Sequence, residues 1–149
     1  MSRPAICLLT LLILFPAATA QSGTARAADF SSARRLMEQG KLGEAVVQLQ
    51  DLQSKNPALK GLAHEFGVAY YKKGDYIQAV DAFKRALEED PTDNEAIQLS
   101  GLSSYLAGRP AEAIPLLEKV QEWYPRANVD AAYILGLCYI QIKNYLQAR

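Results

Sequence analysis

Three prolines, Pro57, Pro91 and Pro125, stand 34 residues apart, and the chain keeps that interval elsewhere. Gly40, Gly74 and Gly108 share it, as do Ala45, Ala79 and Ala113. A unit of this length cannot bury an apolar face alone, so units must stack, and the period is that of a solenoid built from helix pairs. The glycines fall where the first helix of each unit ends, since glycine takes positive φ at little steric cost. The sequence therefore predicts an all-α fold, a solenoid of helix-turn-helix units. Arrays of this kind bind other proteins far more often than they catalyse reactions.

Local chemistry agrees with the repeat. Residues 21–28 are small, polar and without periodicity, and read as a short flexible lead-in. Beyond them helix and tight turn alternate. Asp75 with Gln78, Thr92 with Glu95, and Asn144 with Gln147 have the spacing of capping boxes. Pro110 suits a first helical turn, where no partner for its missing N–H is needed. Ala63, Gly67 and Tyr70 share one face of a first helix, and Ala79, Phe83 and Ala86 share one face of the second. Small residues let two helices approach closely while the aromatic fills the space beside them. Pro115 sits inside a second helix and predicts a kink or a late start there.

The first twenty residues have another logic. Arg3 gives a positive start, Ala5 to Phe15 form an apolar run, and Ala18-Thr19-Ala20 is a small-residue cleavage site. This is the pattern of a secretory signal peptide cut between Ala20 and Gln21, and it predicts an exported protein, periplasmic or secreted. The run is shorter than the ~20 apolar residues of a spanning helix, and no later segment supplies them. Gln21, not cysteine, follows the cleavage site, which excludes a lipoprotein anchor. Cys7 leaves with the signal peptide, so the mature chain keeps only Cys138, among apolar residues, and has no internal disulfide.

Sixteen basic and sixteen acidic residues balance, and no aromatic-basic interleaving marks a nucleic-acid surface. His64 is the sole histidine and has no cysteine nearby at metal-ligand spacing. Glu88, Glu89, Asp90, Asp93 and Glu95 straddle an inter-repeat turn without the glycine-centred loop of a calcium site, and read as a solvated turn. Phosphate loops and nucleophile motifs are absent. The expectation is no enzyme, no cofactor and no metal.

The residues resemble the tetratricopeptide repeat family. Lys60–Asp93 carries Phe66-Gly67, Tyr70, Ala79, Phe83, Ala86 and Pro91, nearly the whole family pattern. Asn94–Ala127 repeats it with Gly101, Ala113, Leu117, Val120 and Pro125, although Ser104 replaces the usual aromatic. Arg26–Leu59 keeps Ala45, Leu49, Leu52 and Pro57 but has Ala33 and Leu36 where glycine and an aromatic are expected. A partial fourth unit over 129–149 opens with Leu135-Gly136 and Tyr139 and reaches Ala148 early in its second helix. Its abrupt end points to a fragment of a longer protein or a chain completed by a partner. The resemblance implies a right-handed α-α superhelix, with the array spanning 26–149.

In this family the first helices line a concave groove that receives a peptide, extended segment or helix. By this resemblance the groove is formed by Phe30, Arg34 and Met37, then His64, Val68 and Tyr71, then Gln98, Leu102 and Tyr105, and finally Tyr133, Leu137 and Ile140. Two apolar rows stand out, Val68, Leu102 and Leu137 beside Tyr71, Tyr105 and Ile140. They imply an apolar ligand, or else packing between neighbouring first helices. The lysine and asparagine set with which family members clamp an acidic chaperone tail is missing. The reading is a scaffold that binds an apolar segment of an envelope protein. Its rivals are the targeting half of a larger enzyme or sensor continuing beyond Arg149, and a structural protein that self-associates through its incomplete fourth unit.

Overall fold

Three turns along the chain are made by the same hydrogen bond. The amide of Lys41 donates to the carbonyl of Leu36 (2.9 Å), that of Asp75 to Tyr70 (3.0 Å), and that of Arg109 to Ser104 (2.8 Å). Each bond reaches back five residues across a glycine in the left-handed region, with φ of +74° at Gly40, +84° at Gly74 and +76° at Gly108. A Cβ at these positions would strain the backbone, whereas glycine closes the helix and satisfies its last carbonyls. The structure, a computed structural model, describes the backbone of residues 22–123 and 128–147 and the side chains of residues 30–123 and 128–143. The expected signal peptide, Pro125 and Ala148 lie outside the described residues.

The described residues form seven helices: α1 (Ser22–Glu38), α2 (Leu42–Lys55), α3 (Leu62–Lys73), α4 (Tyr76–Glu89), α5 (Asn94–Leu106), α6 (Pro110–Trp123) and α7 (Val129–Gln147). Each odd helix packs on the even helix that follows it, and each even helix packs on the next odd one. The odd helices also touch in series, α1 on α3, α3 on α5 and α5 on α7. The even helices make no such contact with one another among the described residues. Helices that touch lie closer together than those that do not, so the odd row is the inner layer of the solenoid and the even row the outer.

The helix pairs are held by a bulky side chain seated on a helix that has no side chain to meet it. A Cβ built on Gly67 would lie 2.5 Å from the ring of Phe83, and one on Gly101 would lie 2.8 Å from Leu117. Phe83 and Leu117 are fully buried. The first unit solves the same contact with Ala33 and Leu49, both at 0% exposure. Truncating any of these three large side chains to alanine removes about 2–5 kcal/mol.

Five local expectations are corrected. Residues 22–28, expected as a flexible lead-in, are part of α1. Asp75 stands at the N-cap of α4, but its carboxylate accepts from Lys73 Nζ at 2.5 Å and makes no cap bond. The charged donor outcompetes the backbone amide. At α5 the cap is Asp93, not Thr92: Asp93 accepts from the Ala96 amide (3.0 Å) while Thr92 bonds to Asp90. No second helix starts at Asn144, because α7 runs on to Gln147. Ile142 and Lys143 stand where the other units carry their turn glycine, so nothing stops the helix. At Pro115 the expected late start does not occur; α6 begins at Pro110 and contains Pro115 on its exposed side.

Candidate functional site

The inner layer presents the two apolar rows. Val68, Leu102 and Leu137 are all half-buried, as are Tyr71 and Tyr105, and Ile140 is 58% exposed. None of the six is fully withdrawn from solvent. Val68 packs against the cores of the first two units, while Leu102 and Tyr105 pack against the core around Leu117, so their inner edges are anchored. Tyr71 lies 6.1 Å from the ring of Tyr76, and burial raises its phenol above the usual tyrosine range, with Tyr76 acting in the same direction. A neutral, partly dry phenol is suited to packing against an apolar chain while its hydroxyl finds a polar partner.

The first unit contributes less to this strip than its sequence implies. Phe30 and Met37 are buried, at 2% and 7% exposure, in the core shared by α1, α2 and α3. Arg34 is the outward residue of that trio. Its guanidinium grips the carboxylate of Glu65, with Nε at 3.0 and 3.1 Å from the two oxygens and a second, shorter bond from Nη2 to Oε1. Glu65 is only 3% exposed, and its hydrogen bond raises Arg34 above the usual arginine range against an opposing effect of burial. At the other end Tyr133 is 65% exposed on α7.

His64 and Gln98 occupy two clefts rather than the apolar strip. The first cleft, of about 580 Å³, is lined by Arg34, Lys60, His64, Glu65, Glu89 and Asp93 among others. The second, of about 480 Å³, is lined by Asn94, Glu95, Gln98, Leu99, Trp123 and Asn128 among others. Asn94, Gln98, Leu99 and Trp123 stand one repeat after Lys60, His64, Glu65 and Glu89, so the clefts are the same place in successive units. His64 Nδ1 lies 2.6 Å from Asp93 Oδ2, and its Nε2 lies 3.6 Å from Glu95. The histidine thereby ties α3 to the cap of α5 and stacks edge-on to Phe83 at 6.3 Å.

The acidic turn read as solvated has more specific work than the sequence indicated. Glu89 accepts from the amide of Gly61 (2.9 Å), so it clasps the start of α3 from the end of α4. Asp90 holds Thr92, and Asp93 serves both His64 and the α5 cap. Glu65 and these cross-helix roles were not found from the sequence. The one available signal was that Glu65 replaces a position occupied by Leu99 in the next unit, a polar residue in an apolar register. Cys138 is buried, and burial raises its thiol, which disfavours the reactive thiolate. Among the described residues no group of three or more histidine, cysteine, aspartate or glutamate side chains could hold a metal ion. No described helix is long and apolar enough to cross a membrane.

Comparison with known families meets this geometry from both ends. A family model described as tetratricopeptide repeat matches residues 30–94. A second, described as anaphase-promoting complex, cyclosome, subunit 3, matches residues 72–149, more than half of the chain. No curated protein matches it. Repeats of this type generally mediate protein–protein interaction. With the 34-residue period, the glycine-closed hairpins and the paired inner and outer helices in place, the chain belongs to the tetratricopeptide repeat family.

Proposed function

We propose that the mature protein is a non-enzymatic binding module of the cell envelope whose inner face takes an apolar segment of a partner protein. The observation that carries this reading is the double row on α3, α5 and α7, six apolar side chains of which none is fully buried. Apolar side chains aligned in two rows on one layer, rather than scattered singly, are the pattern of a surface that meets a partner. The rows run across helices packed on the outer helices α4 and α6, so a ligand meets a preformed surface and little ordering is lost on binding. The cleft at His64, lined by Arg34, Lys60, Glu89 and Asp93 among others, gives a segment a place for its own amides and charged ends. The signal-like start of the chain supports the envelope as the compartment.

The test is to replace strip residues and follow capture of the partner alongside the fold. Leu102→Asp and Tyr105→Asp, each checked by circular dichroism, should abolish capture. Ile140→Asp should weaken it with the least risk to folding, because that side chain is already mostly exposed. Variants that stay folded and capture the partner as before would show that the strip is not the site.

A further inference from the structure

The apolar rows have a charged flank. On α5 the residues Glu95, Gln98, Leu102 and Tyr105 form one ridge, spaced three, four and three apart, and on α7 the same ridge is Asp130, Tyr133, Leu137 and Ile140. Each ridge begins with a carboxylate and ends in the rows. Glu95 is 65% exposed although α3 and α7 pack on either side of its helix. It lies 3.6 Å from His64 on α3, and it adds to the Glu65 hydrogen bond that chiefly raises Arg34 on α1. Asp130 is exposed as well. Burial chiefly raises the phenol of Tyr71, and Tyr76 and Asp130 add to it, although α3 and α7 share no contact among the described residues. Both carboxylates thus act across the inner side on a helix of an earlier unit.

The cations of this side do not offset that flank. Arg34 is gripped by Glu65, and Lys73 by Asp75. Lys60 stands in the cleft at His64, where Glu65, Glu89, Asp90 and Asp93 outnumber it and Arg34. Lys72 lies in the last turn of α3, on the opposite flank of the rows. The helix starts at α5 and α7 contribute only about half a positive charge each, less than one carboxylate. Leu102 and Leu137 follow Glu95 and Asp130 by seven residues, about 10 Å along the helix, a gap that a long side chain spans. We infer that the inner strip takes a segment of a partner protein that is both apolar and basic, with its apolar side chains on the two rows and a lysine or arginine turned toward Glu95 and Asp130. The charge preference rests on the strip being the binding surface, as proposed above, and says which segments that surface selects. An acidic segment of the same apolar pattern would set like charges against the two carboxylates.

Two fluorescein-labelled peptides test the preference, one with leucine at every second position and lysine between, the other with glutamate in place of lysine. When extended, each presents an apolar row and a charged row. The chain has sixteen basic and sixteen acidic residues, so no general attraction favours either peptide. Fluorescence anisotropy with the full chain should find the lysine peptide bound about tenfold tighter or more, the gap narrowing as salt is added. Glu95→Gln with Asp130→Asn should remove the preference. Asp81→Asn with Glu122→Gln, an equal charge change at exposed residues of the outer layer, should keep it. Circular dichroism checks the fold of each variant. Equal binding of the two peptides, lost in the uncharged variant Leu102→Ser, would leave the strip as the site and overturn its charge preference. Tighter binding of the glutamate peptide, or a preference that survives Glu95→Gln with Asp130→Asn, overturns it too. Binding untouched by Leu102→Ser, or no binding of either peptide, would overturn the preference and the strip together. Light scattering that finds a dimer dispersed by Leu102→Ser would give the strip to a second copy and likewise overturn it.

Discussion

Gly67 and Gly136 are the same residue in the same register of the repeat, yet the structure gives them opposite roles. A methyl group at Gly67 would meet the Phe83 ring at 2.5 Å, and the ring is fully buried with nowhere to go. Gly67→Ala should therefore destabilise the chain by ~1–3 kcal/mol. At Gly136 the added methyl meets open space, so the helix preference for alanine acts unopposed. Gly136→Ala should stabilise the free chain by up to ~1 kcal/mol. Urea unfolding of the two variants would measure both signs, and equal effects would contradict the packing described. Arg34 and Glu65 make a second residue-scale test. Arg34→Ala leaves a carboxylate at 3% exposure without its partner and should cost about 1–3 kcal/mol, the lower part of the range applying because Arg34 itself is half in water. Adding Glu65→Leu should recover most of that loss, since Leu99 occupies the equivalent place one repeat later. A double-mutant cycle without such recovery would show that the pair is not what holds α1 to α3.

At the scale of the element, the sequence was most informative where a helix has to stop. Gly40, Gly74 and Gly108 each placed a turn correctly, because the left-handed backbone they adopt is costly for other residues. Caps were harder to read. Asp75 and Thr92 have suitable chemistry, but Lys73 and Asp90 compete for their side chains, and that competition depends on distances that spacing does not reveal. The long α7 was legible only in retrospect, from the missing glycine near Lys143. Pro115 remains the odd member of its helix. It is exposed, so its ring contributes little packing, while its missing donor weakens the ladder of α6. Pro115→Ala should therefore raise stability by about 1–3 kcal/mol, read from the thermal midpoint and a urea series. A neutral or negative effect would mean that the proline's fixed backbone geometry is needed for packing against α5 or α7.

For the whole molecule, the period of 34 was enough to specify paired layers, because each unit is built to cover the next. The inner face was only partly legible. Alignment placed six half-exposed or exposed apolar residues in two rows, yet it could not tell that Phe30 and Met37 turn inward to fill the space between α1, α2 and α3. The same limit applies to Gln98 and His64, whose clefts arise where three helix ends meet. The central claim is that recognition occurs on the inner layer and not on the outer one. The most direct measurement replaces Tyr105 on α5, and separately the exposed Lys84 on α4, with p-benzoylphenylalanine, and irradiates cells making the full chain. A discrete crosslinked partner from position 105, joined through an apolar segment and absent from position 84, is the expected result. Crosslinks from position 84 alone, or from neither position, would contradict it.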